Sequence, residues 1–124
     1  MSSYTARFQV VPEMSAENYG NAGFPVLATP ALLGLFERTA IMAIEQRLAT
    51  GEGSVGTTAN IAHLAATPIG REIAITATLS ETDGKKLSFD LKAFDGDQLI
   101  ATCQHQRFVV NVAKFAARLA DKPI

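Results

Sequence analysis

Residues 29–51 read TPALLGLFERTAIMAIEQRLATG, and the reading of this stretch decides the fold. The expected element is one long helix that opens at Thr29. Threonine is a good N-cap, because its hydroxyl accepts one of the orphan amides of the first turn. Pro30 suits the first helical position, where its missing N–H costs nothing. Gly51 suits the left-handed position just past the end. As far as Ile44 the segment is apolar almost all round, and a helix of that kind is normally buried by the rest of its domain. One carboxylate, Glu37, stands inside the run. An unpaired buried carboxylate costs several kcal/mol or shifts its pKa. Either Glu37 has a functional reason to be there, or it shares a narrow solvated strip with Arg38.

The remainder of the chain sets the frame. Its 124 residues make one domain, 1–124, with enough chain for a core. The formal net charge of −1 offers no basic face for nucleic acid. The N-terminus, MSSYTARFQVV, lacks a basic region followed by a long apolar run, so no signal peptide is expected. Glu37 and Arg38 break the longest apolar stretch within the length a membrane span needs. The single cysteine, Cys103, rules out an intrachain disulfide and fits a reducing cytoplasm. No Cys/His cluster has zinc spacing, so neither metal nor cofactor is expected.

Around the helix the pattern is that of strands. Arg7 to Val11 reads as a first strand, ended by Pro12. Residues 13–25 read as a loop with at most a short helix, and Phe24 at its end is either a core anchor or a lid over a pocket. Residues 54–66, SVGTTANIAHLAA, are small and apolar on both faces, as in a central strand covered on both sides. Ile73, Ile75, Ala77 and Leu79 alternate with polar or small residues, and so do Leu87, Phe89, Leu91 and Ala93. Asp83-Gly84 and Asp95-Gly96 are hairpin signals. A last strand runs from about Gln98 to Asn111, and the tail reads as a short helix or an extended arm. These elements give an α+β fold with a curved antiparallel sheet around the helix. One sheet would leave edges and apolar surface open, which a homodimer joining two sheets edge to edge would close, with further assembly left open.

Three segments carry a family resemblance: FPVLATPALLGLFERTA, GEGSVGTTANIAHLAATPIG, and a hairpin ending AFDGDQLIATCQHQRFVV. They resemble the fluoroacetyl-CoA thioesterase and its acyl-CoA thioesterase relatives, over the chain from about Phe24 to Phe115. The resemblance implies the hot-dog fold and hydrolysis of a small or short-chain acyl-CoA to the free acid and CoA. It implies a catalytic group of Thr29, Glu37 and His63. It places a glycine beside the thioester at Gly56, an arginine of the last strand at Arg107, and an aromatic lid residue at Phe24. The family's aromatic-rich lid sequence is absent, so the resemblance carries thioester hydrolysis further than fluoroacetate selectivity.

The chemistry stands without the name. Thr29 and Glu37 differ by roughly 80° around an ideal helix, so both can border one cleft. A hydroxyl, a base near neutral pKa and an orienting charge form a nucleophilic group. A helix N-terminus adds free amides suited to an oxyanion. Taken singly these residues read otherwise: Thr29 as a cap, His63 as a structural strand residue, Gly56 as a bulge, Cys103 as core, His105 as a surface or interface residue. Two other functions fit the same fold: an enoyl-thioester hydratase, and a non-catalytic module that binds acyl groups or small ligands.

Overall fold

In the computed structural model, which describes residues 2–123, the alternating stretches become strands. The elements in chain order are β1 (Ser3–Gln9), α1 (Thr29–Ile44), β2 (Glu52–His63), β3 (Glu72–Asp83), β4 (Lys86–Asp95), β5 (Gln98–Asn111) and α2 (Val112–Ala120). The strands form one sheet in the order β1-β3-β4-β5-β2, with every neighbouring pair antiparallel. Both Asp-Gly turns are where the sequence puts them. Gly84 and Gly96 take φ of 61° and 60°, which a side chain would resist.

The inward residues of β3 and β4 pack under α1. Ile73, Ile75, Phe89 and Leu91 meet Leu32, Leu35, Phe36 and Ile44 in one core cluster. Residues at 32, 35, 36 and 44 lie on one face by helical spacing, which is why that face is the buried one. The α+β hot-dog arrangement, a sheet wrapped around one long helix, is therefore the observed fold.

Four expectations need correction. The helix opens at Thr29, but its cap is Ala28: the Leu32 amide donates to the Ala28 carbonyl at 2.9 Å. Thr29 is thus inside the first turn, and no side chain caps the helix. The helix ends at Ile44 and passes into a short 3-10 turn, Glu45–Arg47, so Gly51 shapes the turn into β2 instead of closing the helix. The apolar girth is not fully covered, since Ile41 is 45% exposed. Finally, β2 is an edge strand and not a central one, with Gly56 to Asn60 exposed. Its small residues read as a covered strand, but in one chain only β5 covers it.

The loop before α1 holds two 3-10 turns, Pro12–Met14 and Ala16–Tyr19. Single bridges tie it down: Ser15 to Leu27, just before the helix, and Val26 to Pro68, in the connection between β2 and β3. The tail is a helix, α2, capped by the Asn111 side chain, which accepts from the Lys114 amide at 2.9 Å.

Candidate active site

The start of α1 and the end of β2 meet. Thr29 Oγ1 and His63 Nδ1 are 2.8 Å apart. Because Ala28 and not Thr29 caps the helix, the threonine hydroxyl is free to reach the strand. If the hydroxyl donates, Nδ1 is the bare nitrogen and the ring proton sits on Nε2. Nε2 is buried and meets no hydrogen-bond partner within the chain. Burial pushes the His63 imidazole below its ordinary range, with the Ala65 backbone partly opposing. A neutral imidazole aimed at a hydroxyl is the geometry of a general base. The pair opens into a cleft of about 390 Å³ that the loop also lines, through Tyr19 and Asn21.

A second cluster lies further along the same helix. Arg107 on β5 is only 4% exposed. Its NH1 donates to Glu37 Oε2 at 3.2 Å and to His105 Nε2 at 3.1 Å. Its Nε and NH2 donate to the Ser54 hydroxyl and carbonyl at 2.8 and 3.0 Å. Burial lowers the Arg107 pKa, and the charge and hydrogen bond of Glu37 work against that. Gly56 faces the same group, and a Cβ there would sit 2.6 Å from Glu37 Oε2. Glu37, Gly56 and His105 border a small cleft of about 180 Å³.

The expected residues therefore fall into two sets. Thr29 and His63 are together, and Glu37, Gly56 and Arg107 are together. The expected pairing of Glu37 with His63 is not made within the chain, where the carboxylate is bound to Arg107. The reason is helical rise: eight residues advance about 12 Å along the axis. Phe24 joins neither set. Its side chain is exposed, and its carbonyl accepts from Ser15 Oγ and the Val26 amide. His105, read as a surface residue, is instead buried at the centre of the second set. Its inward position follows from the alternation of Cys103, His105 and Arg107 along β5, a signal obscured by its two glutamine neighbours. Cys103 is buried core, as expected, and burial raises its thiol pKa. Among the described residues no cluster could hold a metal ion, and no helix is long and apolar enough to cross a membrane.

Comparison with known proteins shows the family and the fold. A family model for fluoroacetyl-CoA-specific thioesterase matches residues 10–113. The chain is 39% identical over 102 residues to the fluoroacetyl-CoA thioesterase of Streptantibioticus cattleyicolor, covering 82% of this chain and 73% of that one. A solved structure of the fluoroacetyl-CoA thioesterase superimposes with a TM-score of 0.90 at 35% identity, covering 99% and 96% of the two chains. A variant of that enzyme bound to fluoroacetate and CoA gives 0.91 at 32% identity, over 98% and 99%. A hot-dog-like protein from Thermanaerovibrio acidaminovorans, at 22% identity and a TM-score of 0.89 over 97% and 89%, shares the fold.

The histidines make stability depend on pH. Burial lowers the His105 pKa, the Thr58 carbonyl raises it, Arg107 lowers it, Glu37 raises it, and the net shift is down. Below the ordinary value of 6.5 the unfolded chain takes up protons that the folded ring resists. Stability is therefore full above that value and is lost as pH falls below it toward the folded pKa. The melting temperature should fall between about pH 7.5 and about pH 5.5. The fall should be smaller in His105→Asn, measured from that variant's own neutral baseline. A melting temperature flat across this window would contradict the assignment.

Proposed function

The chain belongs to the fluoroacetyl-CoA-specific thioesterase family, and on that premise we propose that it hydrolyses a small acyl-CoA to the free acid and CoA in a site shared by two copies. The observation that carries this reading is the 2.8 Å bond from Thr29 Oγ1 to His63 Nδ1. The attacking oxygen is that of Thr29 or of a water held on it, and in both cases His63 Nδ1 takes its proton. The uncapped first turn of α1 lies beside the attack and supplies amides for the developing oxyanion. When the C–S bond breaks, the imidazolium returns the proton to the departing thiolate. Where the Thr29 oxygen is the attacking atom, a water deprotonated by His63 then hydrolyses the acyl-threonine ester, releasing the acid and restoring the hydroxyl.

The site needs a second copy for its carboxylate. His63 Nε2 is buried and lacks an acceptor. Glu37 of the same chain is about 12 Å further along the helix axis than Thr29. In a symmetric dimer whose β2 edges pair antiparallel, the His63 end of one strand lies near the Gly56 end of the other. Glu37 of the partner subunit would then lie against the Thr29–His63 pair and stabilise the imidazolium by its charge, and the partner's Gly56 and Arg107 would border the acyl group. The exposed middle of β2 and an apolar groove on α1, lined by Pro30, Ala31 and Ile41, support this assembly. An uncovered strand edge is otherwise a liability. A buried, single thiol suits a reducing cytoplasm.

The test is release of free thiol from a panel of acetyl-, propionyl-, butyryl- and fluoroacetyl-CoA. Hydrolysis supports the proposal. Water addition to an enoyl-CoA without thiol release would favour a hydratase, and saturable binding without turnover a binding module. With Phe24 exposed and away from both clefts, acetyl-CoA should compete well with fluoroacetyl-CoA.

Two substitutions probe the roles. His63→Ala should lower turnover by roughly 10² or more, the scale of losing a general base, with the fold retained by circular dichroism. Wild-type rates in that variant would remove His63 from the mechanism. Glu37→Gln keeps the shape and removes the charge. It should cut turnover sharply and move the acid limb of the pH–rate profile downward, because a nearby carboxylate favours the protonated imidazole. An unchanged rate and acid limb would make the carboxylate a bystander.

A further inference from the structure

His105 is too well held to be incidental. Its ring is 2% exposed and is stacked 6.4 Å from that of Phe89. Nδ1 is 2.7 Å from the Thr58 carbonyl, which can only accept, so Nδ1 carries the proton. Nε2 is 3.1 Å from Arg107 NH1, which can only donate, so Nε2 is bare. One neutral tautomer satisfies both contacts. A second ring proton would set N–H against N–H. The charged groups facing the ring are Arg107 and Glu37, whose Oε2 is 3.9 Å from Nε2.

Both bonds end on features that shape the smaller cleft. The register of β2 against β5 slips between Gly56 and Thr58, leaving Thr57 as an extra residue. The slip is pinned by side chains as well: Thr57 Oγ1 donates to the Gln106 carbonyl at 3.1 Å, and Thr58 Oγ1 bonds Gln106 Oε1 at 3.2 Å. A Cβ at Gly56, just before the slip, would lie 2.6 Å from Glu37 Oε2, 3.2 Å from His105 Cε1 and 3.3 Å from Arg107 NH1. Carboxylate, imidazole and guanidinium thus converge on one α-carbon.

Resting on the reading that Glu37 and Gly56 border the substrate, we propose that His105 is a positioning residue. Its neutral, Nδ1-protonated ring sets the Arg107 fork against Glu37 and holds the β2 slip that leaves the Gly56 backbone open to the acyl thioester. It acts through Arg107 and the Thr58 backbone and does not itself touch the substrate.

The chain has two histidines, so nitrogen-15 NMR of the wild-type protein, with His63→Ala for assignment, reads the tautomer directly. The expected result is an Nδ1–H ring for His105 that titrates below the ordinary histidine value. An Nε2–H tautomer, or titration at the ordinary histidine value, would overturn the proposal. This arm needs no turnover, so it stands or falls separately from thioester hydrolysis.

A second arm separates the two bonds. His105→Asn keeps a donor for Thr58 and loses the acceptor for Arg107; His105→Gln does the reverse. In folded protein each should lower kcat/KM about tenfold or more, the scale of one hydrogen bond involving a charged group. The acid limb should move downward, as in Glu37→Gln but less far, because a misplaced Glu37 favours the protonated His63 less. Wild-type kcat/KM in both variants would also overturn it.

Discussion

An α-helix advances about 1.5 Å per residue, and the site is arranged around that fixed rise. Thr29 and Glu37 stand eight residues apart on α1. Each therefore meets a different part of β2: Thr29 reaches His63 at its end, and Glu37 lies over Gly56 nearer its start. Within one chain the two stay apart: Thr29 is bonded to His63, and Glu37 to Arg107. β2 lies at the sheet edge. In the proposed dimer, antiparallel pairing of that edge with its own copy would exchange the strand ends and bring each half-site to face the other.

The second half-site is held by a buried charge. Taking a guanidinium out of water costs several kcal/mol, and a buried ion pair is often no better for stability than apolar residues of similar size. Arg107 meets that cost with four separate partners: the Ser54 hydroxyl and carbonyl, His105 and Glu37. Ser54 and His105 are neutral, so the one formal charge answering it is Glu37, whose side chain is 42% exposed. An arrangement that fixes a cation this firmly while leaving its carboxylate accessible suits positioning better than stability. Gly56 fits the same logic, since any side chain there would displace the carboxylate from the arginine.

Much of this was legible in the sequence, for reasons that differ by element. An antiparallel sheet around one helix followed from period-two alternation at Ile73–Leu79 and Leu87–Ala93, two Asp-Gly turns, and one apolar helix, and the family resemblance identified it as the hot-dog fold. The place of β2 was misread, because small apolar residues look alike whether a sheet neighbour or a second molecule covers them. The cap was misread because Thr-Pro satisfies the local rule for a cap at Thr29, while Ala28 has no side chain to cap with. Tertiary contact with His63 decided between them. Thr29 and His63 meet, as the resemblance requires. Within the chain Glu37 meets Arg107 instead of His63, since helical angle alone puts it near Thr29 while axial distance does not. His105 was read as a surface or interface residue, because its glutamine neighbours obscure the alternation of Cys103, His105 and Arg107 that turns it inward.

The central claim is that each site draws its base from one copy and its carboxylate from the other. Co-expressing His63→Ala with Glu37→Gln tests it most directly. In a mixed dimer one site carries both substitutions and the other carries neither. Random pairing of equal amounts would leave about a quarter of all sites intact. Turnover of small acyl-CoA thioesters by the mixture should therefore rise to about a quarter of the wild-type rate, well above either variant alone. If the mixture is no more active than its two components, the base and carboxylate act within one chain or not at all, and the shared site is wrong.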